Sequence, residues 1–119
     1  MPVTRGDVVV IDFPQAPGAP PKRRPAVVVQ SDRNNRRLST AIFAMATSNV
    51  RLAGTEHTQV LVDVATPEGQ ASGLARVSAI KCENLYTLPQ SLVLRVIGRL
   101  PHALLAHVDA ALKHSLSLR

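Results

Sequence analysis

Six of the fourteen basic side chains, Lys22, Arg23, Arg24, Arg33, Arg36 and Arg37, flank the apolar stretch PAVVVQ. Asp32 is the single acid among them, so this window carries +5 of the molecule's net charge of +6. Cations crowded onto a hydrophobic scaffold form a rim that faces phosphates, and its natural partner is a polyanion. An arginine adds geometry to charge, because its planar fork holds two oxygens of one phosphate at once. A solvated surface is the competing reading for Arg33, Arg36 and Arg37, and both can hold together.

The other reactive residue types offer less. Cys82 is the lone cysteine and is flanked by Ile80 and Leu85, the setting of a small buried apolar residue rather than a nucleophile, in a chain suited to a reducing cytoplasm. His102, His107 and His114 are spaced by five and seven, which does not make the i, i+4 pair of a helical zinc site, and they read as solvated. His57 remains a minor acid–base candidate. Asp7, Asp12, Asp32 and Asp63 are scattered carboxylates that suit arginine pairing or turn capping better than a metal cluster. Only Phe13, Phe43 and Tyr86 are aromatic, so binding of unstacked bases must lean on charge and hydrogen bonds.

The elements that must carry these residues can be read from the pattern. Asp7 to Phe13, DVVVIDF, is a strand that ends at Pro14. Residues 14–25 hold five prolines and read as a stiff loop; Ala26 to Gln30 is a second strand. Ser31 to Arg37 is a turn or one helical turn capped by Ser31 or Asp32, and Thr40 to Thr47 is a third strand, antiparallel to the second. A fourth strand spans 57–64 and ends in a turn over 65–69; shorter strands cover 73–81, 84–88 and 93–100. Pro101 opens a helix whose stripe of Leu104, Leu105, Val108, Leu112 and Leu116 docks on the sheet, with the histidines and Lys113 opposite. Many short strands and one terminal helix predict a mainly β fold, a small bent antiparallel sheet or barrel forming one domain over 1–119.

No long apolar stretch opens the chain, and the longest uncharged segment, 38–50, has thirteen residues against the roughly 20 that a bilayer crossing requires. The expectation is a soluble cytoplasmic protein.

Several of these stretches, taken in order, resemble one family. RGDVVVIDF, a Pro/Gly loop leading into RRPAVVVQSDRNN, then TAIFAMATSN, SGLARVSAIKCENLYTL, and IGRL before a helix with VDAAL are similar to the MazF/PemK toxins of toxin–antitoxin systems, nearly end to end. The resemblance implies a homodimeric SH3-like barrel that cleaves single-stranded RNA without a metal or other cofactor. It also implies silencing by an antitoxin whose C-terminal segment lies over the RNA-binding groove. The family's catalytic positions fall on Arg24, before the proline, and on Thr47, ending the third strand. Taken alone, Thr47 is an ordinary strand residue. Ser78 matches a serine that follows the family's Gly-Leu pair, and joins Lys22, Arg23, Arg33, Arg36 and Arg37 as expected RNA contacts.

Two departures stand out. Residues 15–22 are rich in Pro and Ala where the family places Ser, Glu or Gln, and Tyr86 stands where many members carry arginine. Two other functions share this scaffold: a CcdB-like poison of DNA gyrase and a non-catalytic nucleic-acid-binding module. The tail Ser117-Leu118-Arg119 lacks the aromatic-glycine-aliphatic ending associated with the gyrase poisons, and there is no tryptophan.

Overall fold

The computed structural model describes residues 2–119; Met1, the first residue of the expected domain, lies outside them. The chain runs β1 (Asp7–Phe13), β2 (Lys22–Val28), α1 (Asp32–Arg37), β3 (Thr40–Thr47), β4 (Gln59–Val62), α2 (Pro67–Ala71), β5 (Ser78–Pro89), a 3₁₀ turn (Gln90–Leu92), β6 (Val93–Arg99) and α3 (His102–Leu116). All six strands join one antiparallel sheet in the order β4-β5-β3-β2-β1-β6. The sheet is not closed, since β4 and β6 remain as edges; the expected barrel is an open sheet here.

Both faces of the sheet are buried. Val8, Val27, Ala44, Val60, Val62 and Ile80 pack on one side with Val108 and Ala111 of α3. Val9, Ile11, Ala26, Val28, Phe43 and Met45 form the core of the other, where no long helix lies. A sheet with a single covering helix can bury its second face only by bending over itself.

The first and third strands fall where their β-branched and apolar runs place them. β2 begins four residues earlier than the proline content suggests, so Lys22, Arg23 and Arg24 are extended and pair with Phe13, Asp12 and Ile11 of β1. Pro25 is tolerated because the ladder between β2 and β3 covers only Ala26, Val27 and Val28 and leaves the proline outside it. β4 is shorter than expected: Asp63 accepts a hydrogen bond from the Ala65 amide and turns the chain, and Thr66 then caps α2 through the Gly69 amide. The two expected strands 73–81 and 84–88 are one strand, β5. Its register jumps from Leu85 opposite Ala44 to Lys81 opposite Met45, so Cys82, Glu83 and Asn84 bulge out. On α3, Ala111 rather than Leu116 completes the buried stripe, and Leu116 is 53% exposed.

α1 is secured by polar contacts that pattern reading does not reveal. Ser31 caps it, accepting from the Asn34 amide at 3.3 Å. The buried Asn35 side chain exchanges two hydrogen bonds with Gln30, at 3.0 and 3.1 Å. Gln90 reaches from the far end of β5 to the Asn35 and Leu38 carbonyls at 2.9 and 3.1 Å. Asp32 accepts from the Arg5 amide at 2.7 Å, tying the N-terminal segment to α1.

That last bond, with help from Asn35 and Arg36, holds the Asp32 carboxyl below its ordinary 3.8 despite partial desolvation. A depressed folded-state value means stability that is present above about pH 4 and lost as pH falls through the folded value. Asp32→Asn is therefore expected to lower stability at neutral pH and to flatten its decline between pH 4 and 2, as read from urea unfolding at several pH values.

Gly73, with φ of +73°, crosses β6 so closely that a Cβ would overlap the Ile97 carbonyl, and Gly98 sits as tightly on Ser72. Gly73→Ala combines left-handed strain with a backbone clash and is expected to cost about 3 kcal/mol, measured by the shift in denaturant midpoint.

Candidate active site

The β2–β3 register pairs Ala26 with Met45, Val27 with Ala44 and Val28 with Phe43. Continued two residues past its last rung, the same register sets Arg24 opposite Thr47. The β2–β3 ladder ends at Ala26, where Pro25 has no amide proton to give, and Arg24 and Thr47 lie beyond its last rung, lining the same hollows. Both side chains are half-buried. The Thr47 hydroxyl oxygen accepts from the Asn49 amide at 3.1 Å, which leaves its proton free to be donated outward.

Two hollows meet at this pair. One, of about 420 Å³, is lined by Val10, Pro25, Leu74 and Ile97 beneath Arg23, Arg24, Arg76 and Arg95, with Thr47, Ser48 and Ser78 among its polar groups. The other, of about 270 Å³, is lined by Phe13, Arg24, Met45, Ala46, Thr47, Lys81, Asn84 and Tyr86. Strand alternation explains the division. Val10, Pro25 and Arg95 point to one face of the sheet, whereas Arg24, Met45, Lys81 and Tyr86 point to the other. Among the described residues, neither hollow is lined by a side-chain carboxylate or a histidine.

Charge compensation separates two sets of arginines. Arg5 pairs with Asp109 at 2.6 Å and Arg99 with Asp7 at 3.3 Å, joining the start of β1 to α3 and β6. Arg23, Arg24, Arg76 and Arg95 make no ion pair among the described residues, although all four surround one cavity. Clustered guanidinium groups repel each other, and an anion spanning them relieves that repulsion.

The expected RNA contacts are divided by the fold. Arg23 lines the larger hollow with Arg24, and Lys22 is exposed beside them at the start of β2. Ser78 is buried, and its hydroxyl donates to the Arg76 carbonyl at 2.8 Å, bracing the turn that presents Arg76. Arg33, Arg36 and Arg37 lie on α1, beyond the other end of β2 and more than about 13 Å along the strand from Arg24. They line neither hollow, and Arg37 donates to Asn34 of its own helix at 3.0 Å.

Arg76 and Arg95 were missed from sequence because each stands alone in the chain. The one available signal was a single cation inside the apolar run of β6. Cys82 is fully buried in the bulge of β5, and desolvation pushes its thiol up to about 12, so it stays protonated. Of the histidines, His57 stacks on His114 with ring centroids 5.1 Å apart, well away from the arginine cleft. No group of three or more His, Cys, Asp or Glu among the described residues could hold a metal ion.

A cleft of arginines without ion-pair partners among the described residues, beside the Thr47 hydroxyl, lies at the open end of a helix-backed antiparallel sheet in a small, mainly β protein. The chain belongs to the PemK-like, MazF-like toxins of type II toxin–antitoxin systems, matching that family over residues 4–116. It is 32% identical to the endoribonuclease MazF6 of Mycobacterium tuberculosis over 99% of this chain and 100% of that one. It is 33% identical to the endoribonuclease EndoA of Bacillus subtilis, over 98% and 96%. A mycobacterial endoribonuclease solved in complex with its cognate antitoxin shares the fold with a TM-score of 0.76 at 20% identity, over 98% and 97%.

If all four free guanidinium groups engage phosphates, affinity for a single-stranded polynucleotide falls with salt at a log–log slope of about −3. Arg76→Ala and Arg95→Ala should each make it shallower by about 0.7, measured by fluorescence anisotropy. An unchanged slope in both variants would show that the cavity does not take phosphates.

Proposed function

We propose that this chain is an endoribonuclease that cuts single-stranded RNA at Arg24 and Thr47, leaving 2′,3′-cyclic phosphate and 5′-hydroxyl ends. The observation that carries the reading is the register-opposed Arg24–Thr47 pair at the mouth of a cleft with four unpaired guanidinium groups. The full-length relatives that bear the endoribonuclease name support it.

RNA contains its own nucleophile. When the 2′-hydroxyl attacks the adjacent phosphorus it gives its proton to water, negative charge grows on the non-bridging oxygens as the new P–O bond forms, and the bond to the 5′-oxygen then breaks, that oxygen taking up a proton from water. An arginine guanidinium keeps its proton and is a poor base, so Arg24 serves best as a two-pronged donor to those oxygens. Thr47, whose oxygen is already engaged by the Asn49 amide, donates its proton to the phosphate and sets its orientation. Arg23, Arg76 and Arg95 hold neighbouring phosphates, aligning the sugar for in-line attack.

Cutting messenger RNA in this way stops translation and growth, so a cell that makes the toxin also needs a cognate antitoxin to silence it. The open, cationic mouth is the surface a protein inhibitor must cover. We place this activity in the cytoplasm; no described helix is long and apolar enough to cross a membrane. A homodimer is the assembly this reading carries, with the unpaired edge of β6 presenting exposed Leu94 and Val96.

Arg24→Ala is expected to slow cleavage of a long unstructured RNA by a factor of about 10² to 10³, equivalent to about 3 to 4 kcal/mol. Thr47→Ala should slow it about tenfold, the worth of one hydrogen bond to a charged group. Wild-type protein should produce discrete fragments in EDTA. An Arg24→Ala preparation that degrades RNA at the wild-type rate would overturn the assignment.

A further inference from the structure

Phe13 and Tyr86 are two of the three aromatic residues in the chain, and β1 and β5 bring them together in a T-shaped pair with ring centroids 4.8 Å apart. They line the smaller hollow together with Arg24 and Thr47. Tyr86 is 39% exposed, so part of its ring is open to solvent while the T-shaped contact with Phe13 holds its orientation. The bulge at Cys82, Glu83 and Asn84 adds the polar half of the site. It brings Asn84 and Lys81 to the same hollow, and the Asn84 carboxamide makes no hydrogen bond with another described residue. An oriented ring beside a carboxamide with free donors and acceptors has the chemistry of a nucleobase slot: a face to stack on and an edge reader.

We propose that this hollow takes one unstacked base of single-stranded RNA next to the phosphate held by Arg24, with the base stacked on Tyr86 and its edge read by Asn84. This rests on the reading of Arg24 and Thr47 as a ribonuclease site and adds to it the position at which base identity is selected. The two hollows then divide the labour. The arginine-rich one holds the backbone, the aromatic one selects a base, and the scissile phosphate lies at the residues they share. Lys81, on the same face as Arg24, supplies a cation for the phosphate on the far side of the bound base.

The test combines protein and RNA variants in steady-state cleavage of a short RNA with one cleavage site. Tyr86→Ala should raise KM about 5- to 150-fold with little change in kcat, matching the loss of one stacked base, and Tyr86→Phe should restore the wild-type value. With wild-type protein, an abasic sugar at one position flanking the cut should reproduce that loss, and should add nothing when combined with Tyr86→Ala. Asn84→Ala should remove the base bias at that same position in sequenced fragment ends and leave the other positions unchanged.

Equal losses for every abasic position, or a KM unaffected by Tyr86→Ala, would overturn the slot while leaving the nuclease intact. So would a Tyr86→Ala variant that cleaves normally but escapes its antitoxin, which would assign the hollow to a protein partner. The underlying reading fails differently, by wild-type protein leaving RNA uncut. In that event, quenching of 2-aminopurine placed in an oligonucleotide with a 2′-deoxy sugar at the cleavage position still reports on the slot. Quenching that disappears in Tyr86→Ala supports it, and no quenching with the wild type overturns it.

Discussion

The arrangement at this protein's working end depends on one separation, that of β2 from β3 at Pro25. A paired strand would tie Arg24 and Thr47 into the interior of a ladder and seal the cleft between them. Because proline has no amide proton to give, the last rung falls at Ala26 and the two strands diverge. The paired part of the sheet below is dense with buried Val9, Ile11, Ala26 and Met45, so the diverging ends project from a rigid base. Preorganisation comes from that contrast between a tight ladder and an abrupt end.

Charge follows the same division between structure and use. The basic residues that fasten the fold, Arg5 and Arg99, meet Asp109 and Asp7 at the opposite end of β1. Those around the cleft have no acid partner among the described residues. Concentrating like charges in one cavity costs repulsion in the free state, which a bound polyanion would relieve. The larger hollow is walled by Leu74 and Ile97 because Gly73 and Gly98 let the end of α2 lie against β6, which puts Arg76 and Arg95 on one rim. Packing of small residues thus sets the spacing of the charges.

The bulge in β5 is the second device that shapes the site. Three residues without partners on β3 shift Lys81 and Tyr86 to the same face and swing Asn84 between them, while Cys82 is turned into the core. Without the bulge, alternation would still place Lys81 and Tyr86 on one strand, but on opposite faces. Tyr86 thereby comes to lie beside Lys81 and Asn84, its ring braced by Phe13.

Local composition was enough to define β1 and β3 to the residue, because runs such as DVVVIDF and TAIFAMAT are bounded by proline or polar turns and have no helical period. It was enough as well for the terminal helix, the buried thiol of Cys82 and the family to which the chain belongs. It failed where neighbours in space are distant in sequence. Six cations close together in the chain read as one rim, yet an extended β2 carries Arg24 to one end and α1 to the other. Arg76 and Arg95, isolated in sequence, complete the cleft only when α2 packs on β6 and β6 pairs with β1. Side-chain chemistry and strand propensity are local quantities and can be read along the chain. Register, bulges and the point where a ladder ends depend on which strands meet, and those tertiary choices decide which side chains share one cavity.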